Sequence, residues 1–139
     1  MLKKIFSTTP LWLDGGLACI RFITGAMMIY HGWEVFDAVK MDGYRKWLSD
    51  LNFPAHAFMA YLGKGSEFVG GILLLLGWFT RLAAIVIAIT MTIVSFGMGH
   101  GKILTDDQHP FLFVVLAIAF FFTGPGKYSI DKLMQRGKN

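Results

Sequence analysis

Two charged residues lie inside apolar stretches of the sequence, and they are the first candidates for chemistry. Arg21 falls within the first stretch and Glu67 within the second. A charged side chain in hydrocarbon costs about 3 kcal/mol on insertion scales, so such residues normally face a protein interior and find a partner. We therefore predict an Arg21–Glu67 ion pair, which either fixes the register of two helices or holds a ligand or a proton. Lys64, three residues before Glu67, is a competing or additional partner.

Four histidines are a second set of candidate functional residues. Each lies at one end of a different apolar stretch: His31, His56, His100 and His109. Imidazole is the commonest metal ligand and titrates near neutral pH, but no two of these histidines have the spacing of a metal motif such as H-x-x-x-H. They are only weak candidates for a metal, and no metal site is predicted. Two other interpretations remain, a polar lining of a ligand pocket and amphipathic rings at a membrane interface.

The predicted pocket combines the charges inside the apolar stretches with two of the histidines. No catalytic residue is assigned, because neither a serine nucleophile motif nor a Gly-rich phosphate loop occurs in the context that such sites require. The residues predicted to line the pocket are Arg21, His31, Lys64, Glu67 and His109.

Four apolar stretches must position these residues. They cover residues 15–33, 56–79, 82–98 and 110–123, and each is close to the roughly 20 residues that a helix needs to cross a bilayer. The chain is 55% hydrophobic and 16% charged, whereas an average soluble domain has about 25% charged residues. We predict a single all-α integral membrane domain over residues 1–139, an antiparallel bundle of four transmembrane helices in contact with the lipid bilayer.

The first external loop, about residues 34–54, is longer than the other connections and amphipathic. Its apolar residues recur at near-helical spacing among charged ones. This pattern predicts one or two helical turns that lie on the bilayer surface or cap the bundle. We expect the Asp42-Gly43 pair to interrupt this amphipathic segment.

The basic residues predict the orientation of the bundle. If four spans are assumed, seven lysines and arginines lie on the side of the two termini and four on the other side, so both termini are predicted to be cytoplasmic. The net charge of +4 collects beside the apolar stretches and forms no basic face, which excludes nucleic acid as a partner. The single cysteine, Cys19, cannot form an intrachain disulfide, and no C-x-x-C motif occurs.

An ordered set of motifs over about residues 12–133 resembles the DoxX family of small four-helix bacterial membrane proteins. The motifs are Arg21 followed by Gly25 and His31-Gly32, then Glu67-Phe-Val-Gly-Gly71, then Thr80-Arg81, and finally Gly124-Pro-Gly-Lys-Tyr-Ser-Ile-Asp131. The resemblance implies a location in the bacterial inner membrane. The family takes its name from a subunit of thiosulfate:quinone oxidoreductase, and its members are linked to quinone or catechol stress and to thiol and oxidative-stress complexes. The resemblance therefore also implies a quinone-linked redox or oxidative-stress membrane subunit.

Three functions from different classes are compatible with these observations. The first is a quinone-linked redox subunit, in which Arg21, Glu67 and His31 bind a quinone or relay protons, and electrons come from a protein partner or a soluble donor. The second is a non-enzymatic scaffold or chaperone that recruits proteins through Trp47 and Leu48. The third is a small transporter or proton path, which needs a homodimer because four spans are few for one protomer. The sequence leaves open whether the chain is an enzyme.

Overall fold

The computed structural model describes residues 6–137, and every regular element in that range is helical. Three basic residues that enter the predicted orientation, Lys3, Lys4 and Lys138, lie outside the described residues. The elements in chain order are α1 (Leu13–Gly32), a 3-10 helix (Trp33–Phe36), α2 (Ala38–Asp50), α3 (His56–Leu76), α4 (Thr80–Thr92) with a π-helical continuation (Ile93–Met98), α5 (Gln108–Thr123) and α6 (Ile130–Arg136).

Three helical segments are long and apolar enough to cross a membrane: Leu13–Phe36, His56–Leu76 and Thr80–Met98. The last apolar helix, α5, has 16 residues. At a rise of about 1.5 Å per residue it is about 24 Å long, which is shorter than a hydrocarbon core of about 30 Å. Within residues 6–137 the structure thus confirms an all-helical architecture, with three helices of membrane-spanning length and a shorter apolar one.

The connection between α3 and α4 is slightly displaced from its predicted position. The predicted stretches end at residue 79 and begin at residue 82, whereas α3 ends at Leu76 and α4 begins at Thr80. Gly77 adopts a left-handed conformation with φ 66°. Glycine tolerates this conformation because it has no Cβ, and a helix commonly ends there.

The tightest helix contact joins α1 and α3 through glycine. A Cβ on Gly25 would lie 2.6 Å from the backbone nitrogen of Leu75, and one on Gly71 would lie 2.9 Å from the backbone oxygen of Gly25. Gly32, further along α1, meets Phe68, which precedes Gly71 on α3, so the two helices are antiparallel. Small residues allow such close approach of helices in membranes. We name the end where α1 stops and α3 starts the outer end, and the opposite end the inner end.

The apolar core lies where α1, α3, α4 and α5 meet. Its buried side chains are Met28, Leu74, Ala83, Ala84, Ile87, Met91, Phe113, Val114, Ala117 and Phe120. Large apolar side chains on the outside of the same helices are exposed, for example Phe22 and Ile89, each at 56%. Helices that are apolar on both their inner and outer faces are typical of proteins that contact lipid.

The amphipathic segment forms one continuous helix, α2, at the outer end. The Asp37 carboxylate caps its start by accepting hydrogen bonds from the backbone N–H groups of Val39 at 3.0 Å and Lys40 at 3.2 Å. Met41 and Leu48, two turns apart, are buried together with Ala60 of α3. The predicted interruption at Asp42-Gly43 is wrong, because the cap and these two anchors hold both halves of the helix in place.

Gly71→Ala should lower the stability of the bundle, whereas Gly65→Ala on the same helix should not. A methyl group at position 71 would lie 2.7 Å from the backbone nitrogen of Ile29, and overpacking of this kind costs about 1–3 kcal/mol. At position 65 it would meet nothing within 4 Å, and alanine is the better helix former by up to about 1 kcal/mol. Thermal unfolding in detergent, followed by circular dichroism, measures both. Equal midpoints would contradict the glycine contact.

Candidate functional site

Lys64 lies at the centre of a charged group in the middle of α3, level with the end of α1. Its ammonium group contacts Glu67 Oε2 at 3.0 Å and Glu34 Oε2 at 3.1 Å, and it donates to the backbone oxygen of His31 at 3.4 Å. The side chain of Lys64 is 13% exposed and that of Glu67 is 5% exposed. Two carboxylates therefore share one ammonium group in a place where each charge requires a partner.

The charged group continues to the surface through Glu34. The carboxylate of Glu34 accepts hydrogen bonds from Lys40 Nζ at 2.8 Å and from Tyr44 Oη at 2.5 Å, both on α2. Because the side chain of Lys40 is 54% exposed, a chain of polar contacts runs from the surface to the buried Glu67. We name Glu34, Lys40, Tyr44, Lys64 and Glu67 the carboxylate–lysine cluster.

Two members of this cluster lie on α2, outside the long apolar helices, and have shifted pKa values. Burial raises the pKa of the Tyr44 phenol, and its hydrogen bond to Glu34 raises that pKa further. The hydrogen bond and the negative charge of Glu34 raise the pKa of Lys40. Both shifts favour the protonated form, so at neutral pH Tyr44 is a neutral donor and Lys40 is a cation.

A small cavity lies beside the two neighbouring histidines. The rings of His31 and His109 meet edge to face with their centroids 5.1 Å apart, and Phe113 packs against both. The cavity has a volume of about 120 Å³, and its walls are Met28, His31, Lys64, Glu67, Met91, Val94, His109, Pro110 and Phe113. Four of the five residues predicted to line one pocket therefore meet here: His31, Lys64, Glu67 and His109.

A second cavity reaches Lys64 and Glu67 from beneath α2. It has a volume of about 200 Å³ and is lined by Tyr44, Trp47, Leu48, Met59, Ala60, Gly63, Lys64, Glu67, Val94 and Met98. An adjoining, largely apolar cavity of about 240 Å³ shares five of these residues: Leu48, Met59, Gly63, Val94 and Met98. We name the two together the α2 chamber. It is an apolar space with the Lys64–Glu67 pair at one end.

Of the two residues that the scaffold hypothesis puts on a protein-binding surface, Trp47 is exposed and Leu48 is buried. Leu48 is 4% exposed and packs in a small core with Met41 and Ala60. Trp47 is 43% exposed and lines the α2 chamber. Leu48 therefore attaches α2 to the bundle and is not accessible to another protein.

The predicted Arg21–Glu67 ion pair is wrong. Arg21 is 5% exposed but lies at the inner end, where its guanidinium donates to the backbone oxygen of Pro125 and, at 2.5 Å, to that of Tyr128. It also packs against Gly77, the residue that ends α3. Arg21 therefore does not line the pocket, and it holds the segment after α5 against the bundle.

Two features of antiparallel helices explain this error. The contact between Gly25 and Gly71 sets the register of α1 against α3. In that register Arg21 is level with Gly77, about ten residues or 15 Å along α3 from Glu67. In addition, helical side chains point toward the N-terminus of their own helix, so Arg21 extends toward the inner end and Glu67 toward the outer end.

The four histidines do not form one group. His31 and His109 are neighbours, whereas His56 and His100 are exposed and line neither the small cavity nor the α2 chamber. Within residues 6–137 no group of three or more His, Cys, Asp or Glu side chains is placed to hold a metal ion. The histidine pair instead belongs to the polar wall of the small cavity.

Glu34, Lys40 and Tyr44 are site residues that the sequence does not single out. A partial signal exists, since Glu34 follows His31 by one helical turn and Lys40 and Tyr44 are four residues apart on one face of α2. The local pattern does not reveal that α2 folds back over Lys64. That placement depends on the burial of α2 against α3, which is a tertiary contact.

Comparisons with known proteins give a family match and several relatives. The sequence model of a family described as DoxX matches residues 16–100. The chain is 26% identical to "Putative oxidoreductase CatD" of Bacillus subtilis, over 88% of this chain and 90% of that protein. It is 30% identical to an uncharacterized protein of Haemophilus influenzae (83% and 87%) and 28% identical to "Inner membrane protein YqjF" of Escherichia coli (88% and 95%). No solved structure matches the chain.

Arg21→Lys should loosen the segment after α5, and Glu67→Gln should not. Lysine keeps the charge but cannot bridge two carbonyl oxygens with a planar fork, so the variant loses a charged hydrogen bond worth about 1.5–3 kcal/mol. We expect trypsin to cut after Lys127 roughly tenfold faster in the full-length Arg21→Lys protein. The rate in Glu67→Gln should match that of the unaltered protein. Equal acceleration in the two variants would support an Arg21–Glu67 pair instead.

Proposed function

The chain belongs to the DoxX family of membrane proteins, and we propose that it is a four-span bundle of the bacterial inner membrane that acts as a quinone-linked redox subunit. The names of two relatives support the location and the class of reaction, since one is an inner membrane protein and the other a putative oxidoreductase. The observation that carries the redox part is the position of the Lys64–Glu67 pair at one end of the apolar α2 chamber.

Four spans are supported by the packing of α5. This helix buries Phe113, Ala117 and Phe120 in the same core as the three longer helices. A span shorter than the bilayer is accommodated by local thinning of the membrane at a modest free-energy cost. With α5 as a fourth span, the excess of lysine and arginine on one side supports a cytoplasmic location of both termini. The carboxylate–lysine cluster then faces the opposite side of the membrane.

The α2 chamber suits a flat, neutral ring that carries oxygen atoms. Its two cavities, of about 200 and 240 Å³, together fall within the usual size range of small-molecule sites, about 300–1,000 Å³. Trp47, Met59 and Met98 are among its wall residues, and methionine makes favourable contacts with aromatic rings. The carboxylate–lysine cluster contains two carboxylates and two ammonium groups, so these charges balance and do not repel an uncharged ligand.

In this proposal Lys64 donates a hydrogen bond to a quinone oxygen in place of one of its three present contacts, and Glu67 gives or takes a proton at that oxygen. The rest of the carboxylate–lysine cluster carries protons between this point and the surface at the outer end. Reduction of a quinone requires two electrons and two protons. The electrons come from a protein partner in a redox complex or from a soluble donor, and the chain's own acidic and basic groups handle the protons.

Glu67→Gln should weaken quinone binding or turnover by at least about tenfold. Glutamine preserves the shape of the side chain but cannot take up a proton, and a lost charged hydrogen bond costs about 1.5–3 kcal/mol. The measurements are the quinone that copurifies with the protein, by mass spectrometry, and quinone-dependent reductase activity in membranes. Arg45→Gln, on the exposed face of α2, is the control and should change neither. The proposal fails if no quinone copurifies and Glu67→Gln leaves the activity intact.

Trp47→Ala tests the apolar chamber separately from the charged pair. Removing this wall residue takes apolar contact area from a bound ring, and an apolar side chain of this size contributes about 1.5–3 kcal/mol when buried. We expect the affinity for a short-chain quinone to fall about tenfold or more. Val39→Ala is the matched control on the same helix, since Val39 is 83% exposed. Identical affinities in the two variants would place the ligand outside the chamber.

A further inference from the structure

A second candidate site lies at the inner end, far from Lys64. A cavity of about 860 Å³ opens between the start of α4 and α6. Four basic side chains line it, and we name it the basic cavity after them: Arg81, Lys127, Lys132 and Arg136. All four are exposed, and no salt bridge among residues 6–137 involves any of them. The proposed quinone function makes no use of this cavity.

The acidic residues in the wall of the basic cavity do not cancel its positive charge. Asp131 accepts hydrogen bonds from the backbone N–H groups of Phe79 at 2.8 Å and Thr80 at 3.0 Å, so its carboxylate caps the start of α4. Asp14 is the other acid of the wall. Four cations thus face two carboxylates, one of which is directed at the backbone of α4, and the remaining positive charge attracts an anion.

Hydrogen bonds to backbone groups fix the shape of the basic cavity. The Arg21 guanidinium binds the backbone oxygens of Pro125 and Tyr128. The backbone N–H of Asp131 donates to the backbone oxygen of Gly77 at 3.0 Å. The segment between α5 and α6 is therefore tied to α1 and to the end of α3, so the cavity is a preformed part of the bundle.

An apolar groove continues from the basic cavity along the outside of the bundle, between α3 and α4. It has a volume of about 340 Å³ and shares Leu82 with the basic cavity. Small residues keep it open, among them Gly65, Gly70 and Ala83. Trp78 lies in the wall of the basic cavity, and tryptophan is typical of the membrane interface. We name this feature the α3–α4 groove.

We propose that the basic cavity and the α3–α4 groove form a binding site for an anionic phospholipid. The phosphate head group lies on the four basic side chains, and one acyl chain lies in the groove. Basic pockets between transmembrane helices on the cytoplasmic side bind anionic head groups in this way, and that leaflet is rich in anionic lipids. A soluble phosphate compound presents the same charge, but it leaves the groove empty, so the geometry favours the lipid.

Native mass spectrometry of the full-length protein in detergent tests this proposal. The probes are phosphatidylglycerol and phosphatidylcholine with identical acyl chains, and inorganic phosphate alone. We expect phosphatidylglycerol to be retained on the order of tenfold more than phosphatidylcholine. The double variant Arg81→Gln, Lys132→Gln should abolish this preference. The matched double variant Arg45→Gln, Lys46→Gln removes the same charge from the exposed face of α2 and should preserve it.

Gly65→Leu tests the groove, because Gly65 lines it and a Cβ at position 65 meets no atom within 4 Å, so the added side chain takes up space that the acyl chain would occupy. It should reduce the retention of both lipids several-fold. If the first double variant does not fold, as judged by circular dichroism, Lys127→Gln with Arg136→Gln replaces it. Equal retention of the two lipids by the unaltered protein would overturn the proposal. Inorganic phosphate that binds with the same dependence on Arg81 and Lys132, and is not displaced by phosphatidylglycerol, would assign the cavity to a soluble anion and would also overturn it.

Discussion

The close approach of α1 to α3 determines where each buried charge of the bundle can find a partner. Gly25 and Gly71 bring the two backbones into contact, so no side chain fits between the helices at that level. Arg21 is left at the inner end with the backbone oxygens of the segment after α5, and Glu67, in the middle of α3, is left on the outer side of the contact with Lys64. Since hydrocarbon supplies no water to a buried charge, each end contains its own set of partners.

The separation gives the two ends of the molecule opposite electrostatic character. At the outer end the acidic and basic groups of the carboxylate–lysine cluster balance and lie beside an apolar chamber, which favours an uncharged ligand. At the inner end the Asp131 carboxylate is occupied by the start of α4, and the basic side chains around it remain in excess. One small bundle therefore presents two chemically different environments, and the glycine contact between them prevents the charges from neutralising each other.

Hydrophobicity and length predict the helical architecture well, because the apolar stretches are close to the thickness of a bilayer. The amphipathic outer segment is also predictable, since its apolar residues recur at helical spacing. Four of the five predicted pocket residues meet around one cavity, because the end of α1, with His31, lies beside the middle of α3, with Lys64 and Glu67. Arg21 is misplaced, because its partner depends on the register between α1 and α3 and on side-chain direction. Tyr44 is missed for a similar reason, since only tertiary packing brings α2 over Lys64.

The π-helical end of α4, from Ile93 to Met98, forms part of the wall of the internal cavities. Val94 lines both the small cavity and the α2 chamber, and Met98 lines the chamber. A π-helical turn is wound more widely than an α-helical one, with i→i+5 hydrogen bonds, and it occurs frequently at functional sites. If one residue were removed so that this segment wound as a regular α-helix, the wall residues beyond it would rotate about the helix axis by about 100°. The size and shape of the internal space therefore depend on the number of residues in this one helix, so an insertion or deletion there can change the space while every charged group stays in place.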